Sequence, residues 1–342
     1  MSGDVTGGSF DPDRTYAAVR MQQGRVQLDA DANESESLKV SVVATVKDAG
    51  PMIAEFLASL RGQTRPPDEV VIVDGGSTDG TWDRVTREPS VTAVSEPGSN
   101  IAQGRNRAVN AATHGVIAVT DADCILDPEW LERILSPIAA GASVVAGFYR
   151  PIPGSWFETW AVSHIPDAAE IGPRWLPSSR SLAFRREAFD TAGGYPEWLP
   201  IGEDMYLNQR WVQAGVPIER ATDAVVYWRP RRGLRATWRQ YERYAEGDAA
   251  AGMYPERHAL RFGAYAALAT ALWSHRPIPL AAVSTAAVLY ASRPLARTWR
   301  RSASAPAKAA SVAGVPLTMA LIDAAKMWGY ARGLLTRSRR GR

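Results

Sequence analysis

Asp48, Asp74, Asp121 and Asp123 stand where short apolar runs stop. KVSVVATV gives way to Lys47-Asp48, Glu69-VVIVD ends at Asp74, and GVIAVTDAD closes on Asp121-Ala122-Asp123. Carboxylates at neighbouring strand ends repel one another unless a cation lies between them, and a hard divalent ion with oxygen ligands meets that need. An anionic diphosphate would complete the coordination of such an ion, which would stabilise charge on a leaving phosphate. A lone aspartate at a strand end is more often a turn former or helix cap, and Asp79 and Asp83 are read that way. Asp121 and Asp123 are not, because two carboxylates one residue apart bring nothing to a buried strand. Asp29-Ala30-Asp31 repeats the string, but no strand and helix units precede it. A calcium loop there would need Gly at its sixth position and Glu at its twelfth, where the chain has Glu34 and Val40.

The elements that must position these groups follow from periodicity. A helix is expected from Pro51 to Leu60, with Ile53, Phe56, Leu57 and Leu60 on one face. The turn cluster Gly75 to Gly80 leads into a helix over Thr81 to Arg87. A strand is expected at 92–96 and a helix from Asn100 to Thr113. Apolar strands alternating with helices predict an α/β fold whose parallel sheet is covered on both faces. Ligands of such sheets bind beyond the carboxyl ends of the strands, where the four aspartates lie.

Six segments in order, SVVATVKDAG at 41–50, SLRGQT at 59–64, VVIVDGGSTDGT at 70–81, GRNRAVNAA at 104–112, VTDADCILDPEWL at 119–131 and GGYPEWLPIGEDMYLNQRWVQAG at 193–215, resemble the family 2 glycosyltransferases. The resemblance covers roughly residues 38 to 230. It implies a GT-A fold, Rossmann-like with a mostly parallel central sheet, and inverting sugar transfer from a nucleotide sugar (UDP-, GDP- or dTDP-linked) with Mg²⁺ or Mn²⁺. It places Thr45, Asp48 and Asp74 around the nucleotide base and ribose, and Arg105 near the diphosphate. Asp121 and Asp123 match the D-x-D pair, Asp123 as direct metal ligand and Asp121 nearer the ribose or a metal-bound water. Glu203-Asp204 matches the E-D pair, with Asp204 as the catalytic base that an acceptor hydroxyl needs.

The chain departs from the family pattern in three places. Gly75 replaces an aspartate common in relatives, Asp48-Ala49 replaces Asn-Glu, and AVVYWRPRR at 224–232 offers Tyr227 and Trp228 where some relatives supply a metal-binding histidine. Trp156, Trp160, Trp175 and Trp198 suit packing ahead of sugar stacking. Ser178, Ser179 and Arg180 are candidate acceptor or phosphate contacts, and His164 is read as a surface or satisfied polar residue. A nucleotidyltransferase shares acidic strand ends and a metal, but would carry a Gly-rich basic loop after the first strand, which KDAGPM is not. Residues 9–34 resemble the opening of a family associated with phage-tail-like injection particles, which raises a non-enzymatic alternative as a structural or cargo component.

Composition sets the frame for the rest. A chain of 342 residues with 46% hydrophobic and 22% charged content is globular in class. Cys124 is its one cysteine, which excludes a disulfide framework or a Cys-based zinc site. The net charge of +3 hides a division: residues 1–228 carry 19 Lys or Arg against 31 Asp or Glu, whereas residues 229–342 carry 20 against 5. The basic end is almost all arginine, which suits phosphate and headgroup contacts. Its aromatic residues Trp238, Tyr241 and Tyr244 resemble a nucleic-acid surface, but uncharged stretches at 262–274, 277–292 and 309–322 argue for membrane instead. None of these stretches reaches the roughly 18 apolar residues of a span. The two joined at His275-Arg276-Pro277 suit a re-entrant hairpin, and Asp323 is expected to pair with Lys326. The organisation expected is an arm at 1–37, a GT-A domain at 38–230 and a basic membrane-associated helical region at 231–342. With no secretory signal among the first thirty residues, the cytoplasmic membrane face is the expected location, with a lipid-linked or glycan acceptor and no nucleic acid.

Overall fold

β1 (Val40–Val46) is apolar on both faces and buried along its length apart from Thr45, as befits a strand with neighbours on each side. It pairs in parallel with β2 (Glu69–Asp74) and β4 (Val116–Asp121), and β3 (Thr92–Ser95) extends the sheet beyond β2. The register sets Thr45 opposite Asp121 and Val46 opposite Asp74, so the acidic strand ends share one edge. Helices α1 (Met52–Arg61), α2 (Thr81–Thr86) and α3 (Ile101–Ala111) make the crossovers, all within about two residues of the sequence expectation. The computed structural model describes residues 38–172, 175–302 and 304–340, with backbone alone for 338–340. The arm at 1–37, the Asp29-Ala30-Asp31 string and the 9–34 resemblance lie outside the described residues.

Beyond β4 the sheet ceases to be purely parallel. β5 (Cys124–Leu126) and α4 (Trp130–Ala139) precede β6 (Val144–Pro151), α5 (Trp156–Ala161), β7 (Leu182–Arg185), α6 (Arg186–Ala192), α7 (Glu203–Gln213) and β8 (Ile218–Trp228). The strand order is β3-β2-β1-β4-β7-β6-β8-β5, with β7 antiparallel to both β4 and β6, and β8 parallel to β6. β7 follows a long excursion over 152–181 instead of a short helical crossover, so the handedness that enforces parallel pairing does not act on it. Trp130 and Trp211 are wholly buried, their indole N–H groups donating to Ser181 Oγ and the Ala188 carbonyl at 2.8 Å each.

Four helices complete the unit that spans Val40–Arg342: α8 (Leu234–Ala251), α9 (Pro255–Ser274), α10 (Pro277–Arg301) and α11 (Ala305–Arg340). α8 and α11 pack through Tyr241, Ile322 and Ala325, and through Ala245, Ala249 and Tyr330. Gly329 lets the backbones meet, since a Cβ there would strike the Glu242 carbonyl. The helices run past the uncharged stretches, so α10 and α11 are both long and apolar enough to cross a membrane by length and composition.

Two expectations for the basic end need correction. Asp323 pairs with Arg261 of α9 at 2.8 Å, and accepts hydrogen bonds from Tyr265 at 3.2 Å and Tyr290 at 2.9 Å. The Lys326 ammonium lies instead 5.0 Å over the Tyr241 ring. A buried carboxylate takes the partners whose geometry lets it satisfy several lone pairs at once. Several arginines are also held internally: Arg297 by Glu170, Arg300 by Asp167 and Glu170, Arg301 by Asp167, and Arg332 by Glu242.

Candidate active site

The loop after β1 is built by short polar bridges to the loop after β2. Asp48 takes a left-handed conformation at φ 49°; its carboxylate accepts from the Thr78 N–H at 2.7 Å, and its own N–H donates to Ser77 Oγ at 2.8 Å. Asp79 accepts from Gly50 N–H at 2.7 Å and Thr81 N–H at 3.0 Å, which is the turn-forming role expected of it. Asp74 accepts from the N–H groups of Gly76 and Ser77 through Oδ1, both at 2.7 Å, while its Oδ2 is buried without a partner. Such an orphan acceptor suits a hydroxyl or N–H of a bound ligand. Thr45, Asp48 and Asp74 thus line one edge, Thr45 beside α3, where a Cβ on Gly104 would approach its methyl to 3.0 Å.

α3 ties this edge to the far side of the cleft. Asn100 and Gln103 form a capping box that starts the helix, and Arg105 one turn on is buried. Its guanidinium reaches Asp121 at 2.5 Å with one amine and Glu203 with the other. Asn106 braces the 193–197 loop, bonding the backbone N–H and C=O of Tyr195 at 2.9 Å each. That loop leads to Gly202, whose φ of 83° no L-residue side chain favours, and then to Glu203-Asp204 at the start of α7. Asp204 Oδ1 accepts from the Met205 N–H at 2.8 Å, and Ser178 Oγ stands 3.4 Å from its Oδ2. Arg180 donates to the same Ser178 at 3.2 Å, lies 3.8 Å from Asp121, and is sandwiched by Trp228 and Tyr149 at 4.9 and 5.4 Å. Asp121 is therefore joined to Asp204 through Arg180 and Ser178, and to Glu203 through Arg105.

The family model described as glycosyl transferase family 2 matches residues 41–199. Residues 41–199, just under half of the chain, are similar to a family 2 glycosyltransferase domain. The chain is 27% identical over 199 residues to glycosyltransferase AglE of Haloferax volcanii, covering 54% of this chain and 65% of that protein. It is 28% identical over 218 residues to an N-acetylglucosaminyl-diphospho-decaprenol L-rhamnosyltransferase of Mycobacterium tuberculosis, covering 51% and 70%. The mannosyltransferase PcManGT from Pyrobaculum calidifontis, solved in complex with GDP-Man and Mn²⁺, superposes with a TM-score of 0.52 at 22% identity, over 87% of this chain and 86% of that one. That likeness establishes the GT-A fold.

Charge among these residues is unevenly compensated. Burial works to raise the Asp121 carboxyl, but Arg105 and then Arg180 outweigh it and hold it below the usual range. Asp123 is pushed up, first by burial and then by the negative charge of Asp121. Burial carries Glu203 up to about 7 against the pull of Arg105, with Asp204 adding repulsion. Among the described residues no three His, Cys, Asp or Glu side chains gather as a metal cage. The residues nonetheless fit a hard divalent ion in the manner of Mg²⁺, which takes one or two carboxylates and draws its other ligands from water and phosphate. Asp123 is the under-compensated oxygen donor; Asp121 is already engaged by guanidinium.

The structure thus gathers Thr45, Asp48, Asp74, Asp121 and Asp123 at the carboxyl ends of β1, β2 and β4, with Arg105 bridging Asp121 to Glu203 and Asp204 linked to Asp121 through Ser178 and Arg180. Arg105, the residue expected near the diphosphate, is a buried bridge between Asp121 and Glu203. Tyr149 and Tyr195 were invisible to sequence reasoning: Tyr195 hydrogen-bonds Ser179 at 2.9 Å and lies 5.4 Å under Arg105. Arg180 carried a weak signal, a basic residue in a Ser-rich loop before a strand. Of the tryptophans, Trp160 packs under Gly314 of α11 and Trp175 tilts on Phe148 at 6.0 Å, while Trp156 and Trp198 stay half exposed.

Proposed function

We propose that this protein moves a sugar from a UDP-, GDP- or dTDP-linked donor to an acceptor hydroxyl with inversion, in a metal-dependent reaction. The observation that carries the reading is the Arg105 bridge, which joins Asp121 at the end of β4 to Glu203 at the start of α7. It ties the D-x-D pair to the E-D pair in this reading. In this reading Thr45, Asp48 and Asp74 bind the base and ribose, with the free Oδ2 of Asp74 accepting from a ligand hydroxyl. Asp121 and Asp123 hold Mg²⁺ or Mn²⁺, which would stabilise the charge left on the departing diphosphate. Asp204 takes the acceptor proton as that hydroxyl attacks the anomeric carbon from the face opposite the nucleotide. The complex of PcManGT with GDP-Man and Mn²⁺ supports the donor and metal class.

Residues 38–230 form the catalytic part in this proposal and residues 231–342 a membrane-associated region on the cytoplasmic face. The similarity to a decaprenol-linked rhamnosyltransferase supports a lipid-linked or envelope-glycan acceptor. The test is Asp204→Asn, read with UDP, GDP and dTDP in Mn²⁺ by thermal shift and with the corresponding donor sugars for transfer. The stabilising nucleotide should bind the variant as it binds the parent while transfer falls by about 10³-fold or more. Near-parental turnover would refute Asp204 as the base, and a product of retained anomeric configuration would refute inversion.

A further inference from the structure

α9 and α10 form a hairpin that turns at His275-Arg276, and its far half touches little of the body. Residues 262–292 contain Arg276 as their sole Asp, Glu, Lys or Arg. Trp273 is 88% exposed, Ile278 81%, Val288 68% and Leu289 67%. Ile278, Val288 and Leu289 fall on one stripe of α10, spaced by ten and one residues at about 3.6 residues per turn. Toward its base α10 turns inward through the buried Pro294 and Thr298, while Tyr290, 56% exposed, bonds Asp323. An apolar stripe of this extent on an otherwise satisfied element calls for a partner.

Charge selects the partner and its orientation. The hairpin carries no acid between 262 and 292, and Arg276 and Arg293 have no acidic partner among the described residues. Both ends of the hairpin therefore offer unpaired cations, which complements an anionic surface. The arginines at the far end of α10 are not available: Arg297, Arg300 and Arg301 are clamped to Asp167 and Glu170. That clamp fixes the base of the hairpin to the catalytic body and leaves 263–274 and 277–292 to enter lipid. The uncharged stretches 262–274 and 277–292 rise about 20 and 24 Å, short of the roughly 30 Å hydrocarbon core, so a crossing by the longer α10 would have to draw Arg293 into it. Upright insertion would also leave Arg276 inside hydrocarbon, where a cation is strongly disfavoured. Lying flat, the hairpin keeps Arg276 and Arg293 at headgroup depth while its stripe enters the acyl boundary. α11 is a poorer candidate, because its apolar window is 33% buried against 6% for α10.

We propose that the α9–α10 hairpin is an in-plane anchor that docks the apolar stripe of Ile278, Val288 and Leu289, with Trp273, onto an anionic bilayer without crossing it. The proposal rests on the membrane association proposed above only for the class of partner. Docking is read without any sugar donor, so loss of transfer leaves it standing and loss of docking leaves the transferase reading standing. The full chain is floated with vesicles of phosphatidylcholine, with and without phosphatidylglycerol. Flotation should rise at least tenfold with the anionic lipid, and fall as far in Trp273→Glu with Ile278→Glu while the melting temperature stays put. Cys124 is buried, so Leu289→Cys and Arg276→Cys accept a thiol probe selectively. The label at 289 should be quenched by nitroxides near the headgroup and not by those at the acyl ends, and position 276 should react with an impermeant maleimide added outside. Unchanged flotation of the glutamate variant, deep quenching at 289, protection of 276 from outside, or a stable dimer that the glutamates dissolve would each overturn the proposal.

Discussion

Arg105→Met tests the bridge on which the site is hung. In the parent, one guanidinium compensates Asp121 and Glu203, and all three side chains are largely shielded from solvent. Methionine keeps most of the volume and removes the charge, leaving two carboxylates beside each other in a low-dielectric setting. Removing one member of a buried ion pair costs about 3 to 5 kcal/mol. Asp121 keeps Arg180 at 3.8 Å, and Glu203, already raised to about 7, takes up a proton as its escape. The lower end, about 3 kcal/mol, is therefore expected near neutral pH, or a melting temperature lower by roughly 4 to 5 °C for a chain of this size. Urea unfolding and scanning calorimetry on the full chain measure it. Adding Glu203→Gln should recover roughly half the loss, because it removes the carboxylate that has no second cation, and non-additivity in that cycle reports the contact itself. The alternative, that Arg105 serves a ligand phosphate, predicts a weaker nucleotide affinity with stability unchanged within about 0.5 kcal/mol. That outcome would refute the bridge.

Two further results are expected. Mn²⁺ followed by its paramagnetic resonance should bind weakly alone and at least tenfold more tightly with the nucleoside diphosphate that stabilises the protein, because Asp121 and Asp123 are too few to complete a coordination shell; Asp123→Asn should abolish that gain, and tight binding of the ion alone would contradict the two-carboxylate site. His164 is held down to about 3, first by burial and then by Lys326, so it folds neutral. A group depressed from 6.5 in this way contributes stability above pH 6.5 that is lost as pH falls toward 3. With the ring still partly accessible, the loss should be about 2 to 3 kcal/mol, and His164→Gln should flatten that part of the acid-unfolding curve; an unchanged curve would refute it.

The strand ends were legible because apolar runs closed by aspartate have few other readings. Asp121 and Asp123 reached the cleft because β4 pairs in parallel with β1, a consequence of helical crossovers already visible as periodicity. The antiparallel β7 was not legible, because its direction depends on how the 152–181 excursion returns and not on any residue within LAFR. Nor was the post of Arg105, since an arginine opening a helix is compatible with a phosphate or with two carboxylates until the chain a hundred residues on is folded against it.

The basic end divides in the same way. Composition alone determined that residues 229–342 are arginine-rich, poor in acid and interrupted by uncharged stretches, because those are properties of the letters. Which arginines remain for an outside partner was decided only by tertiary packing. Asp167 and Glu170, more than a hundred residues away, claim Arg297, Arg300 and Arg301, and Asp323 takes Arg261 in place of Lys326. Ion pairing is set by distance in space and by desolvation, and neither is written in the spacing of charges along a chain. The sequence therefore determined where the strand-end carboxylates and the basic helices lie. The fold decided which charges meet each other and which are left to meet a ligand or a membrane.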